Sequence, residues 1–93
     1  MKSIMQEEKQ CFLCGRMGDL DRHHCIHGTA NRKLAEADGL WVWLCPNCHT
    51  MSPDAVHRNG NKDRSLKQEA QRAFEKRIGS RKEFMFRYGK SYL

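Results

Sequence analysis

The sequence predicts a small α+β fold, with a compact N-terminal core followed by two C-terminal helices. Three observations support this prediction. The segment Leu40–Leu44 alternates aliphatic and aromatic residues, which is typical of a β-strand. Between Asp63 and Ile78, apolar residues recur at helical spacing. The N-terminal part is framed by two Cys-x-x-Cys pairs, Cys11/Cys14 and Cys45/Cys48.

The two cysteine pairs predict a structural zinc site. A chain of 93 residues forms one domain and buries only about 60–65% of its unfolded surface, so its core is thin. Four thiolates from two tight turns complete a tetrahedral zinc shell, which can contribute on the order of 10 kcal/mol of folding free energy. We therefore expect Cys11, Cys14, Cys45 and Cys48 to bind zinc and brace the fold.

The cysteines also bear on the compartment. There are five of them, and residues 1–10 contain no apolar stretch of the kind found in a signal peptide. The sequence also has no candidate membrane segment, so we expect a cytoplasmic protein whose cysteine pairs bind metal instead of forming disulfides. The fifth cysteine, Cys25, is expected to be a small buried residue.

The net charge of +6 is unevenly distributed. Residues 1–57 contain six Lys and Arg against seven Asp and Glu, whereas residues 58–93 contain eleven against four. Clustered positive charge is typical of a surface that binds a polyanion, because neutralising phosphates releases counterions. A nucleic acid is therefore the expected partner of the C-terminal third.

The elements of the N-terminal half follow in order. We expect residues 1–10 to be a frayed polar segment or a short helical turn, and Gly15 to allow the tight turn after Cys14. Residues 20–26 are expected to form a short strand. Residues 28–39 are expected to be a polar loop with a helical turn at 32–37.

The second half begins with the strand 40–44, which should place Leu40, Val42 and Leu44 on one face and Trp41 and Trp43 on the other. We favour packing over base stacking for the tryptophans. The second cysteine pair should start a helix, and Ser52-Pro53 should cap another.

Residues 63–78 are expected to form a helix with a buried stripe. Gly79 should end this helix, and Ser80–Glu83 matches a capping box for the last helix. The stripe comprises Leu66, Ala70, Ala73, Phe74 and Ile78, and Phe84, Met85 and Tyr88 are available to pack beside it.

Five histidines lie within 35 residues, and their pattern resembles a known family. The chain has Cys-x2-Cys, then Asp21-x-His23-His24, a glycine-containing loop, and a strand that ends in Leu44-Cys-x2-Cys-His49. This joint pattern, over residues 11 to about 58, resembles the HNH endonucleases. It also resembles the small phage and prophage HNH-like proteins with a four-cysteine zinc, including those related to the phage recombination-enhancement nuclease.

The resemblance implies a ββα-metal core over residues 11–58 and a basic helical extension over 59–93. It also implies a phosphodiester hydrolase that acts on DNA with one divalent metal (Mg²⁺, Mn²⁺, Ni²⁺ or Zn²⁺) besides the structural zinc. By position, His24 would be the general base, and His23, His49 and His57 would bind the catalytic metal. A histidine can take a proton from water near neutral pH, and a cation can neutralise the phosphate and the departing oxygen.

Several alternatives stay open. The family asparagine that orients the base is replaced by Asp38-Gly39 before the second strand, so Asn31, Asn47 or no residue takes that role, with Asn31 the nearest candidate. His27 competes with His57 as third ligand, because His49 and His57 are more than one helical turn apart. Besides an endonuclease, the sequence is compatible with a non-catalytic zinc-containing nucleic-acid-binding module or a protein-interaction adaptor. It leaves open the oligomeric state, a homodimer included, as well as DNA against RNA.

Overall fold

The computed structural model describes all 93 residues and shows a small α+β fold. Its elements are β1 (Asp21–His24), α1 (Thr29–Asp38), β2 (Trp41–Leu44), α2 (Gly60–Arg77) and α3 (Arg81–Tyr88). A single π-helical turn, Asn47–Met51, follows β2, and a 3-10 turn, Val56–Arg58, precedes α2. The predicted α+β class and the two C-terminal helices are confirmed. None of the helices is both long and apolar enough to span a bilayer.

β1 and β2 form an antiparallel pair in which His23 lies opposite Val42 and His24 lies opposite Trp41. The predicted alternation of β2 is confirmed, because its aliphatic side chains are fully buried in the core while the two indole rings contact each other, 5.0 Å between centroids, on the other face. Trp41 is 4% exposed, so the prediction of packing is confirmed for this tryptophan. The aliphatic residues are Leu40, Val42 and Leu44.

The segment predicted to be a polar loop, residues 28–39, is instead the helix α1 with one flanking glycine at each end. Its end is fixed by Gly39, whose φ is 72° and whose N–H faces the carbonyls of Ala35 and Glu36. A side chain at Gly39 would also collide with the backbone carbonyl of Lys2. The prediction failed because α1 buries only Ala35 fully, so its apolar pattern in the sequence is weak.

Residues 1–10 were expected to be frayed or to form a short helical turn, and they do neither. Residues 1–12 follow the outer edge of β2, where the N–H of Ile4 donates to the carbonyl of Gly39 (2.9 Å) and the N–H of Phe12 donates to the carbonyl of Trp43 (2.8 Å). The side-chain oxygen of Gln6 accepts from the N–H of Trp43 at 2.9 Å. The polar sequence of this segment supplies partners for the strand edge, which composition alone does not reveal.

The two C-terminal helices share one buried apolar cluster with the aliphatic side chains of β2. Asn59 caps α2 by accepting from the N–H groups of Asn61 and Lys62, and the predicted capping box between Ser80 and Glu83 opens α3. The prediction that Ile78 belongs to the buried stripe is wrong, because α2 ends at Arg77 and Ile78 is 46% exposed. The buried side chains of the two helices are Leu66, Ala70, Gln71, Phe74, Phe84 and Tyr88.

One polar contact joins α3 to the end of α1. The Arg87 guanidinium donates to both carboxylate oxygens of Asp38, at 2.6 and 2.9 Å, and the Tyr88 hydroxyl donates to the same carboxylate at 2.6 Å. Burial, followed by the hydrogen bond to Asp38, raises the pKa of Tyr88. Because bidentate Arg–carboxylate pairs fix geometry, α1 is held in a defined position over the sheet.

Candidate metal centres and histidine cleft

The four cysteines of the two pairs converge on one point. The sulfurs of Cys11, Cys14, Cys45 and Cys48 all lie within 4.8 Å of one another, and those of Cys14 and Cys45 are 3.7 Å apart. Four sulfurs at about 2.3 Å from a tetrahedral zinc would be separated by about 3.8 Å, so the cluster has the size that zinc needs. Four cysteines that could hold a structural metal are therefore present, as predicted.

Backbone hydrogen bonds from both turns favour the thiolate of Cys11. Gly15 has φ 79°, as expected, and its N–H donates to the carbonyl of Cys11 at 2.8 Å. Burial disfavours the Cys11 thiolate, but backbone hydrogen bonds, chiefly at Cys45 and Cys14, outweigh it and lower the pKa of Cys11 to about 6. Burial and the neighbouring thiols raise the pKa of Cys48 to about 12. Four sulfurs this close cannot all be charged without a cation.

A second cluster consists of three imidazoles from three separate elements. His23 comes from β1, His49 from the π-helical turn after β2, and His57 from the 3-10 turn before α2. One ring nitrogen of each lies within 4.8 Å of the other two, and the Nε2 atoms of His49 and His57 are only 2.9 Å apart. Three neutral imidazoles on one point are a ligand set that suits divalent transition metals.

His23 contains an unsatisfied buried atom. Its side chain is 3% exposed, and its Nε2 has no hydrogen-bond partner. Burial, followed by the neighbouring His49 and His57, lowers the pKa of His23 to about 3, so the ring is neutral and one nitrogen carries a lone pair. A buried polar atom without a partner costs about 1–3 kcal/mol, and a cation held by the three rings would remove that cost. This atom is the best indication that the cluster fits a metal.

The orientation of His49 is fixed from behind the cluster. Its Nδ1 lies 3.1 Å from the Oδ2 of Asp21, while its Nε2 faces His57. Because a carboxylate only accepts, Nδ1 carries the hydrogen and Nε2 is available as a ligand. Carboxylates behind a metal-binding histidine commonly fix its tautomer in this way. Asp21 therefore has a structural explanation within the Asp-x-His-His pattern.

The path of the chain after His49 explains how a distant histidine returns. Ser52 is extended, with φ −70° and ψ 149°, and it ends the π-helical turn. The prediction that Ser52-Pro53 caps a helix is wrong, because only a turn lies between Pro53 and the 3-10 turn that starts at Val56. The following 3-10 turn brings His57 back to the cluster. His27, the competing ligand, is instead hydrogen-bonded through its Nε2 to the Oδ1 of Asp63 at 2.9 Å. Its ring centroid is 6.3 Å from that of His23, compared with 5.3 Å for His57.

His24 does not join the cluster. Its Nε2 lies 2.9 Å from the Oε1 of Glu36 on α1, and Arg22 donates to both oxygens of the same carboxylate at 2.9 and 3.0 Å. The hydrogen bond with His24, followed by that with Arg22, lowers the pKa of Glu36 to about 2. The two adjacent histidines therefore have different partners, as expected for neighbouring residues of a strand.

Both histidines of the pair face one open cleft of about 860 Å³ whose lining has no hydrophobic residue. The cleft lies between the end of β1, the first turns of α1 and the two histidine-bearing turns. Its positive side chains are suited to an anion, and its histidines to a cation, within the same space. The lining comprises Arg22, His23, His24, His27, Gly28, Thr29, Arg32, Lys33, Glu36, His49 and His57.

The other candidate residues lie elsewhere. Asn31 is in the first turn of α1 but does not line the cleft, and Asn47 is exposed in the π-helical turn. The structure thus brings neither asparagine to His24, and the role of Asn31 stays a prediction. Cys25 is fully buried, as predicted, and burial raises its pKa.

Sequence reasoning missed Glu36, although a signal was present. Thr29, Arg32, Lys33 and Glu36 are spaced at i, i+3, i+4 and i+7, which places them on one face of a helix. All four line the cleft. Because the segment was interpreted as a loop, this polar face could not be recognised.

No protein-family model, curated protein or solved structure matches this chain. The residues of the two clusters and of the cleft are therefore the basis on which a function can be proposed.

Proposed function

We propose that this protein is a metal-dependent DNA endonuclease of the HNH type, with a ββα-metal core built from β1, β2 and the histidine-bearing turns. The observation that carries the proposal is the buried, unpartnered Nε2 of His23 within 4.8 Å of ligand nitrogens from His49 and His57, beside a separate cluster of four cysteines. Two ligand sets of different chemistry suggest two ions with different tasks.

The sulfur cluster has the composition of a structural site. Four thiolates complete a tetrahedral shell and leave no position for substrate. The imidazole cluster offers three ligands and faces a cleft, which is the arrangement of a catalytic site that keeps a position open. A divalent ion held by His23, His49 and His57 would supply neutralisation of the phosphate charge and of the departing oxygen.

The chain's own residues account for the remaining steps of hydrolysis. His24 accepts a proton from the water whose oxygen forms the new bond to phosphorus. The P–O3′ bond breaks, the phosphate stays on the 5′ side, and the 3′ oxygen leaves as a hydroxyl after taking a proton from solvent. Arg32 and Lys33 are exposed at the cleft and can hold the phosphate in place.

The C-terminal helices offer a surface for the rest of the substrate. Of the eleven Lys and Arg after residue 57, four form ion pairs: Lys67, Arg72, Arg81 and Arg87. The other seven have no acidic partner, and all of them are exposed. Unpaired surface cations bind a phosphate backbone without reading its sequence. These seven residues are Arg58, Lys62, Arg64, Lys76, Arg77, Lys82 and Lys90.

The test is the conversion of supercoiled plasmid to nicked or linear DNA by zinc-loaded protein with Mg²⁺, Mn²⁺ or Ni²⁺. We expect His24→Ala to lower the cleavage rate about 10²- to 10⁴-fold, because the general base is lost. Zinc content, second-metal content and the unfolding midpoint should match the wild type. His27→Ala is an informative comparison, since it should keep the second ion if His57 is the third ligand.

The seven unpaired cations also favour a second candidate function, a non-catalytic nucleic-acid-binding module braced by zinc. This function predicts retardation of DNA with a steep salt dependence and no effect of His24→Ala. Absence of metal-stimulated cleavage by the wild type, together with such retardation, would replace the endonuclease with this alternative. Absence of both would leave a protein-interaction adaptor.

A further inference from the structure

The cleft contains a chain of polar contacts that the three metal ligands do not use. It begins at Trp41, over whose ring the Arg22 guanidinium lies at 3.9 Å from the centroid. Arg22 then donates to both oxygens of Glu36, and Glu36 contacts His24. The Met1 ammonium also lies 3.4 Å from Oε2 of Glu36. The carboxylate is thus held from several sides before it contacts the histidine.

We propose that Glu36 is the positioning residue for His24, a role for which the sequence offered Asn31 or Asn47. It would hold the His24 ring through Nε2–H and leave Nδ1 to accept the proton of the attacking water. This inference rests on the proposed function for its catalytic meaning. The contact between Glu36 and His24 stands on the geometry alone.

The tautomer follows from the donor and acceptor inventory. An ionised carboxylate only accepts hydrogen bonds, so a 2.9 Å contact with Oε1 requires the hydrogen to be on Nε2 of His24. In the neutral ring, the lone pair is then on Nδ1. That nitrogen has no partner within the protein and is not among the buried unpartnered atoms. The available acceptor of His24 is therefore open to solvent.

The location of Glu36 suits a positioning role. Helix α1 ends at Asp38, and β2 starts at Trp41, so Glu36 lies just before the second strand. The Asp38–Arg87–Tyr88 contact and the left-handed end at Gly39 fix this end of α1. Glu36 thus approaches His24 from a rigid helix, which suits a group that must hold a ring within a fraction of an ångström.

The experiment compares wild type, Glu36→Ala and Glu36→Gln, with Glu69→Ala as the matched control. Glu69 forms one exposed ion pair with Arg72 and does not line the cleft. Long-range ¹H–¹⁵N NMR of zinc-loaded protein without a second metal, at a pH where the ring is neutral, shows which nitrogen of His24 carries the hydrogen. Plasmid cleavage gives kcat and KM, and metal analysis gives the content of both sites.

We expect the wild type and Glu69→Ala to show only the Nε2–H tautomer. Glu36→Ala should show a mixture of tautomers and a kcat lowered about 10- to 100-fold, with KM and metal content unchanged. Glu36→Gln keeps an oxygen acceptor and should recover part of both losses. An Nδ1–H tautomer in the wild type, or an unchanged tautomer and kcat in Glu36→Ala, would overturn the assignment.

The two proposals fail in distinguishable ways. A wild type that never cleaves DNA, yet shows a tautomer of His24 that depends on Glu36, would sink the hydrolytic function and support the positioning contact. A protein that cleaves DNA but whose His24 tautomer is the same in the wild type and in Glu36→Ala would support the hydrolytic function and rule out the positioning contact.

Discussion

The sulfur cluster and the imidazole cluster are both built next to the strands β1 and β2, yet their surroundings differ. The four sulfurs come from the turn after Cys11 and from the turn that follows β2, and backbone hydrogen bonds favour the thiolate of Cys11. The three imidazoles come from three different elements and face an open cleft. A closed shell stabilises a fold, whereas an incomplete shell beside open space is suited to exchanging ligands. The two ligand sets of this chain thus differ both in ligand type and in access to open space.

The largest expected effect is the loss of the closed cluster. Cys45→Ser removes a sulfur whose ion contributes on the order of 10 kcal/mol, comparable to the whole stability of a small domain. We expect no zinc to be retained and no cooperative unfolding transition, measured by metal analysis and circular dichroism. Cys25→Ala is the matched control, since Cys25 is buried outside the cluster; it should keep one zinc and lose about 1–2 kcal/mol. A folded, zinc-loaded Cys45→Ser protein would contradict the comparison.

An intermediate effect is expected at the open cluster. His49→Ala should weaken binding of a second divalent ion by at least about 100-fold while the first zinc remains, because only one of the two ligand sets is broken. Titration with Co²⁺ or Ni²⁺, followed by its visible absorption, measures both sites. If His49→Ala and Cys45→Ser each lose the same single ion, the two clusters bind one shared ion and are not separate sites.

The smallest effect concerns the carboxylate behind the ligand. Asp21→Asn removes the charge that orients His49 and should weaken the second site about 10- to 100-fold without any change at the sulfur cluster. Asp19→Asn, two residues earlier and without an ion pair, is the control. Equal affinities of the two variants, measured by calorimetric titration, would show that His49 needs no orienting partner.

The sulfur cluster could be predicted fully because its ligands are local and come in pairs of fixed spacing. The strand β2 and the capping box of α3 could be predicted for the same reason: neighbouring residues determine them. The imidazole cluster required the resemblance as well, because the sequence distance between His49 and His57 says nothing about the bend at Ser52.

The predictions that failed concern features that depend on tertiary contacts. Helix α1 has a weak apolar face. Its C-terminus is capped by Gly39 and is held by the contact between Asp38 and Arg87 of α3. Ile78 fits the helical period but lies one residue past the end of α2. Glu36 could not be assigned from the sequence, because its role depends on a contact with His24, a residue on a different element.

The segment that lies along the outer edge of β2 has a consequence for assembly. An unpaired edge can recruit a strand from a second molecule and so start aggregation. Here Ile4, Gln6 and Phe12 occupy backbone groups of Gly39 and Trp43 along that border. Residues 1–12 therefore block intermolecular β-pairing at this edge, and their removal would leave the edge of β2 open to a strand from another molecule.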